Sequence, residues 1–327
     1  MCPPIDTHCW LVADIGGTNT RTAIVRDGRV DGDTVTRFRN AEYNCLEDVL
    51  SQYQADQGQN FTALCVAAAG PVEDGRVKMT NLDWLIDSRS LADAVQVQHA
   101  FVLNDLQAQG YALDDLSPDH IVPVLGGPSD GPKLVVGVGT GFNATFVQDV
   151  PGGKQVTASE CGHMSLPVQT IDELEMSLFI RDYHGFCSVE DVVSGRGLEL
   201  VHQWLVRDLP DAAPAKAADI LGGCSTAGSI EERAAQMFCH MLGRVCGDLA
   251  LVHLPRGGLF LVGGVARAFA AHFSQFGFAK GFRDKGRFGD FMAQFPVFIV
   301  KDDYAALIGS ARFLEQKINQ TTAKISS

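Results

Sequence analysis

Residues 14–19 read Asp-Ile-Gly-Gly-Thr-Asn and residues 137–141 read Gly-Val-Gly-Thr-Gly, each at the end of an apolar run. Paired glycines at a tight turn between strands leave backbone N–H groups free to point into a concavity, and such nests hold anions, phosphate in particular. The hydroxyl of Thr18 or Thr140 adds a donor to its turn. Asp14, at the end of its run, is placed to hold a hydrated Mg²⁺ on the phosphates, because Mg²⁺ keeps several waters and takes few carboxylates. Alone, the first motif is also compatible with a plain hairpin turn beside a buried Asp. It is not Gly-x-Gly-x-x-Gly and no helix follows it, which argues against a dinucleotide fold. Two such turns, each followed by a strand, can grip one polyphosphate from both sides. Residues 126–133 (GGPSDGPK) look like a Walker loop, but Pro132 stands where its Lys belongs and Lys133 where Ser or Thr belongs, so the stretch reads as a surface turn.

Oxygen and imidazole donors recur at other strand ends. Asn104-Asp105 closes the run Phe101-Val102-Leu103. An amide and a carboxylate at a cleft edge suit a sugar hydroxyl, whose proton the carboxylate can take as a phosphoryl group is transferred. The same pair also reads as an Asx turn, with Asp105 as the N-cap of the next helix. Glu160 and His163 lie in Glu-Cys-Gly-His, with Glu190 about a helix later. Each of these groups can bridge two adjacent sugar hydroxyls. The other reading is a metal site or a surface acidic pair, and the metal reading lacks a third and fourth ligand at fixed spacing. Gly263-Gly264 ends another apolar run and would let a flat ring such as adenine approach the backbone. The alternative there is the first turn of a helix.

These groups need strands and helices to place them. Apolar runs at 9–15, 62–69 and 258–262 predict buried strands, with further strands at 20–26, 101–104, 134–137, 142–148 and 296–300. Asp27-Gly28 predicts a hairpin turn. Helical spacing predicts helices over 43–54, 106–113, 172–183, 197–206, 229–253 and 304–315, and the polar stretch 317–327 is expected to fray. The strand, Gly-Thr-rich turn and returning strand at 15–22 recur at 136–145, which predicts two related α/β halves facing each other across a cleft.

The 327 residues suggest two domains and need no disulfide staples. With 26 Lys plus Arg against 39 Asp plus Glu, the net charge of −13 argues against nucleic-acid binding. The nine cysteines are odd in number and scattered, without Cys-x-x-Cys, as expected of free thiols in a reducing cytoplasm. The N-terminus lacks the basic and apolar regions of a signal peptide, and no window of 18 apolar residues predicts a membrane span.

Taken together, the motifs resemble the bacterial glucokinase family, hexokinase-like members of the actin and sugar-kinase superfamily. The resemblance runs over residues 10–314, nearly the whole chain. LVADIGGTNTR and VVGVGTG look like the family's two phosphate motifs, VLNDLQAQG like its Asn-Asp substrate motif, and SECGH like its sugar-binding Glu-x-Gly-His. SVEDVVSGRGL carries the matching Glu190, and FCHMLGRVCGDLALVHLPRGGLFLVGGVARAF, GFRDKGRF and LIGSARFL are similar to the C-terminal signature.

The resemblance implies an α/β, two-lobed ribonuclease H-like (actin-like ATPase) fold with a central cleft. Residues 1–106 plus 303–327 would form a small α/β lobe and 107–302 a large α+β lobe. It implies transfer of the γ-phosphoryl group of ATP to the 6-hydroxyl of glucose, with Asp105 as general base and Mg²⁺ held through water by Asp14. Asn104, Asp105, Glu160, His163 and Glu190 would hold the sugar. Gly16, Gly17, Thr18, Gly139, Thr140 and Gly141 would surround the phosphates, and Gly263 and Gly264 would lie near adenosine. A cytoplasmic homodimer is implied, with no membrane or nucleic-acid partner. The family's zinc-containing relatives carry a Cys-rich motif that this chain lacks, so no zinc is expected. Asn143 and Cys161 stand where the family commonly has Gly, and Leu106 where it has Phe. Asn143 is expected to accept a positive φ, and the Cys161 thiol to crowd the sugar. The rival readings are a kinase for another hexose and a non-catalytic protein, either a sugar-responsive regulator or an inactive sugar-binding protein, the regulator disfavoured because only 13 residues precede Asp14.

Overall fold

The computed structural model describes residues 9–79, 82–210 and 212–325. The reading of the N-terminus as no signal peptide falls largely on residues 1–8, outside the described residues, as do the last two residues of the expected polar tail. The chain divides into two compact units. Residues 9–116, 149–158 and 302–325 lie in the first, and 117–148 and 159–301 in the second.

The first unit is built on a mixed sheet. β1 (Trp10–Ile15) and β2 (Asn19–Arg26) pair antiparallel. Asp27 and Gly28, both with positive φ, turn the chain into β3 (Arg29–Val30), and β4 (Thr36–Arg39) also pairs with β2. β5 (Ala63–Ala68) lies between β1 and a later strand, parallel to both. That placement buries every residue of β5 and explains its unbroken apolar run. α1 (Leu46–Gln57), the small β6 (Arg76–Lys78) and β7 (Leu85–Asp87) hairpin, and α2 (Ser88–Val95) follow. β8 (His99–Asn104) completes the sheet and runs into α3 (Asp105–Ala112). Leu11, Leu64, Val66, Leu50 and Tyr53 centre one core of this unit.

The second unit repeats the plan. β9 (Ile121–Leu125) is an edge strand, and β10 (Lys133–Val138) and β11 (Phe142–Val150) form the hairpin. The short β12 (Gly153–Thr157) falls back in the first unit. Helices α4 (Ile171–His184), α5 (Gly195–Val206), α6 (Ala217–Gly223) and α7 (Ile230–His253) come next. β13 (Gly258–Val262) lies parallel to β10, then come α8 (Gly264–Ala268) and α9 (Phe278–Arg283). β14 (Val297–Val300) lies parallel to β13 and antiparallel to β9, and α10 (Ala305–Ile325) ends the chain in the first unit. In both units the strand before the Gly-rich turn, β1 or β10, is antiparallel to the strand after it and parallel to the strand on its other side, as the repeated strand–turn–strand pattern predicts.

The first unit extends past residue 106, to Leu116. The reason is α3, which packs on α10: Phe313 meets the rings of Phe101 and Tyr111 edge-on, at 5.9 and 5.2 Å between centroids. Gly309 permits the crossing, because a Cβ there would penetrate the Ala108 carbonyl. α10 itself continues through Ile325, well past the point where the polar tail is expected to fray.

Candidate active site

In the first unit, strand register carries the expected groups to one sheet edge. Asp14 lies across from Ala67, and Ala68 lies between Ile15 and Asn104. The turn after β1 is closed by the Gly16 N–H donating to Asn19 O at 2.9 Å. Asn40, a buried residue that sequence reasoning does not single out, clamps this turn. Its backbone N–H donates to Thr18 O at 3.0 Å and its Nδ2 to Gly16 O at 2.8 Å. Its Oδ1 accepts from the Thr20 hydroxyl at 2.8 Å. Only the pairing of β4 with β2 reveals this partner, since Asn40 lies 24 residues from Gly16.

Asp14 is 19% exposed, with Arg21 Nη1 at 3.6 Å. Burial first, and then the charge of Asp105, raise its pKa from 3.8 to about 6, against the pull of Arg21. The folded state therefore holds a proton that the unfolded chain has released. Stability falls as pH rises from about 4 to about 6, and the full penalty persists above that window. Asp14→Asn is accordingly expected to stabilise the protein by about 2 kcal/mol at pH 8 and hardly at all at pH 4. Thermal melts at the two pH values check this, and an equal shift at both would assign the effect to packing.

Asn104 is the N-cap of α3, where the sequence offered Asp105 as the capping residue. Its Oδ1 accepts from Leu106 N and Gln107 N at 3.0 and 3.3 Å, and its Nδ2 donates to Gly70 O at 3.0 Å. One amide hydrogen of Asn104 remains for a ligand. Asp105 occupies the first helical position, where its Oδ1 accepts from its neighbour Leu106 N at 2.9 Å.

In the second unit the Gly139–Gly141 turn is closed by Gly139 N–H donating to Gly141 O at 3.0 Å. Glu190 braces it: Oε2 accepts from Phe142 N at 2.8 Å, and Oε1 pairs with Arg196 Nη2 at 2.8 Å. Arg196 also donates from Nε to Thr140 O at 3.3 Å. Arg196 is a second residue that the sequence reading missed. A Cβ at Gly141 would meet the Glu190 carboxylate, so a larger residue there would displace that brace. Gly16, Gly139 and Gly141 do not adopt positive φ, whereas Gly263 does, at 102°. Gly263 also fits against Val138 O, which a Cβ would approach to 2.5 Å, and caps the one-turn helix α8 that Gly264 begins.

Glu160 and His163 flank a single 3₁₀ turn, Cys161–His163, and both are exposed. The Glu190 N–H donates to Gly162 O at 2.8 Å, which ties the segment carrying Glu190 to the turn that carries His163 and follows Glu160. Two expectations are corrected here. Cys161 is buried in the core, not turned toward a ligand, and burial pushes its thiol pKa up. Asn143 needs no positive φ, for it sits in β11. Its Oδ1 accepts from Ser159 Oγ at 3.1 Å and Cys161 N at 3.2 Å, tying the 3₁₀ turn to the strand. Among the described residues no group of three or more His, Cys, Asp or Glu is gathered as a metal site, and no helix is long and apolar enough to cross a membrane.

Two units of this strand order, each with a Gly-rich turn between its paired antiparallel strands (β1 and β2, β10 and β11), define the ribonuclease H-like fold of actin-like ATPases and sugar kinases. A model of the glucokinase family matches residues 11–317. The glucokinase of Erwinia tasmaniensis is 31% identical over 326 residues, covering 96% of this chain and 99% of that one. The crystal structure of a glucokinase from an Antarctic psychrotroph superposes with a TM-score of 0.82 at 30% identity, covering 94% of this chain and 98% of that one. The fold extends to Balamuthia mandrillaris glucokinase, solved in complex with glucose, with a TM-score of 0.77 at 21% identity and coverages of 94% and 93%. The chain belongs to the glucokinase family, the ATP-dependent hexose kinases that its motifs resemble.

Proposed function

We propose that the chain transfers the γ-phosphoryl group of ATP to the 6-hydroxyl of glucose, with Asp105 as the general base. The observation that carries the reading is the strand register, which brings the ends of β1, β5 and β8, and with them Asp14 and the Asn104-Asp105 pair, to the same end of one sheet, where the Asp105 charge acts on Asp14. A hydroxyl held at Asp105 loses its proton to the carboxylate as its oxygen bonds to the γ-phosphorus. The bond from that phosphorus to the bridging oxygen breaks, and ADP leaves with the electron pair.

Asn104, Glu160, His163 and Glu190 hold the sugar hydroxyls. Gly16, Gly17, Thr18, Gly139, Thr140 and Gly141 surround the phosphates, and Gly263 and Gly264 flank adenosine. This reading requires both units to act on the same substrates, as in a two-lobed enzyme with a central cleft. A cytoplasmic homodimer belongs to the same reading.

The donor set fits Mg²⁺. Asp14 is a largely buried carboxylate whose pKa is raised by burial and by the charge of Asp105, and Mg²⁺ is commonly held by one carboxylate, waters and substrate phosphates. Bound there, the ion would neutralise charge on the phosphates.

A coupled assay with MgATP and a panel of glucose, mannose, fructose and glucosamine tests the proposal. The expected result is turnover with the highest kcat/KM for glucose. Preference for another hexose would overturn the glucose assignment, and no turnover of any would overturn the kinase reading for this chain.

A further inference from the structure

We infer that Arg37 and Arg39 form an accessory site for a phosphate group beside the first phosphate turn. Strand β4 alternates: Phe38 points into the core, where it meets Tyr43 and Tyr53 edge-on, while Arg37 and Arg39 are exposed on the opposite face. The strand therefore presents two guanidinium groups from Cα positions about 7 Å apart on a backbone anchored between them. Register sets Arg39 across from Asn19 and Arg37 across from Arg21. Thr18, Asn19, Arg37, Arg39 and Ala41 line one concavity of about 560 Å³.

The charges in that concavity are not spent internally. Arg21, the third arginine of this face, pairs with Asp14 at 3.6 Å and donates to Asp303 O at 3.1 Å. The side chains of Arg37 and Arg39 have neither an ion pair nor a hydrogen bond among the described residues. A chain of net charge −13 repels anions in general, so two unneutralised arginines side by side make a local exception. Guanidinium forks suit the tetrahedral oxygens of phosphate, which each can bind through two N–H groups. Asn40, next in sequence to Arg39, holds the phosphate turn through Gly16 O and Thr18 O. An anion seated on the arginines thus adjoins the turn without requiring its N–H groups.

The ligand chemistry is a phosphate group, supplied by inorganic phosphate, by a phosphate monoester or by a phosphate chain. Calorimetric titration of the full chain, free of sugar and nucleotide, separates these sources with inorganic phosphate, glucose 6-phosphate and linear tripolyphosphate as probes. At least one is expected to bind, with affinity falling as salt rises. The double variant R37Q/R39Q is expected to weaken that binding about tenfold or more, and R37K/R39K to fall between, because lysine keeps the charge and loses the fork. Equal affinity in wild type and R37Q/R39Q would overturn the inference, as would absence of binding by all three probes. A rise in KM for MgATP matching the loss of probe binding would place the arginines on the nucleotide's own phosphates and overturn a separate site. The titration needs no turnover, so its outcome is read independently of whether the chain phosphorylates glucose.

Discussion

Asp105→Asn is expected to lower kcat by roughly 10²- to 10⁴-fold, the range for loss of a positioned general base. The fold should survive the change, because Asn104, not Asp105, caps α3. The substitution keeps the size of the side chain and an oxygen able to accept from Leu106 N, as Asp105 Oδ1 does at 2.9 Å. ATP affinity should hardly change, since the Gly16–Thr18 turn is held by Asn40. Glucose should still bind through the groups proposed to hold it. A second readout comes from the neighbour: removing the Asp105 charge removes one of the two causes that raise Asp14, so the Asp14 carboxyl should titrate below its present value of about 6. Steady-state kinetics with a thermal melt check the first effect. Full activity in a folded variant would remove Asp105 from the mechanism.

Local signals carried most of the strands and helices. β5 and β13 are buried throughout, so their unbroken apolar runs declare them. α7 begins where Ser229 caps it, accepting from Glu232 N at 3.0 Å. What sequence reasoning missed depends on partners far along the chain. The end of α10 from residue 317 looks like a polar tail, yet just before it Gln316 exchanges hydrogen bonds with the Lys154 backbone at 2.8 and 2.9 Å, 162 residues away. Asn40 and Arg196 are ordinary polar residues until the strands and turns they brace are folded. The glycine turns were legible as motifs, but the reason for one glycine was not. Gly263 answers to its positive φ and to the Val138 carbonyl, which only tertiary structure brings there. The Asn-Asp pair was legible as a cap and as a catalytic pair, and the structure divides it, with the cap on Asn104 and Asp105 left at the helix start.

Arg244→Met is expected to destabilise the second unit by about 3–5 kcal/mol at neutral pH, because it strands a buried carboxylate. Arg244, on α7, is 2% exposed, and its Nη1 donates to Glu173 Oε2 at 2.8 Å. Its Nη2 lies 3.2 Å from His240 Nε2, and His240 Nδ1 lies 3.3 Å from Gly277 O. A hydrogen on Nδ1 leaves Nε2 as the acceptor that Arg244 needs. Glu173 in turn caps α4, its Oε2 accepting from Gln169 N and Thr170 N at 2.8 and 3.1 Å. One side chain thus joins α4 to α7, and the loop before α9 is held through His240. Burial alone would raise the Glu173 pKa, but the Arg244 hydrogen bond and those backbone N–H groups hold it below 4.5. A depressed carboxyl contributes stability above its unfolded value and loses it as pH falls. The deficit of the variant should therefore shrink as pH falls, because the stranded Glu173 takes up its proton at a higher pH than the paired Glu173 of the native protein, which holds out below 4.5. Adding Glu173→Gln to Arg244→Met should recover part of the loss at pH 7, since it removes the stranded charge and keeps a capping oxygen. Urea unfolding of the two single variants and the double variant closes the cycle. If the double variant were destabilised by the sum of the single effects, the pair would be acting through packing, with no buried charge at stake.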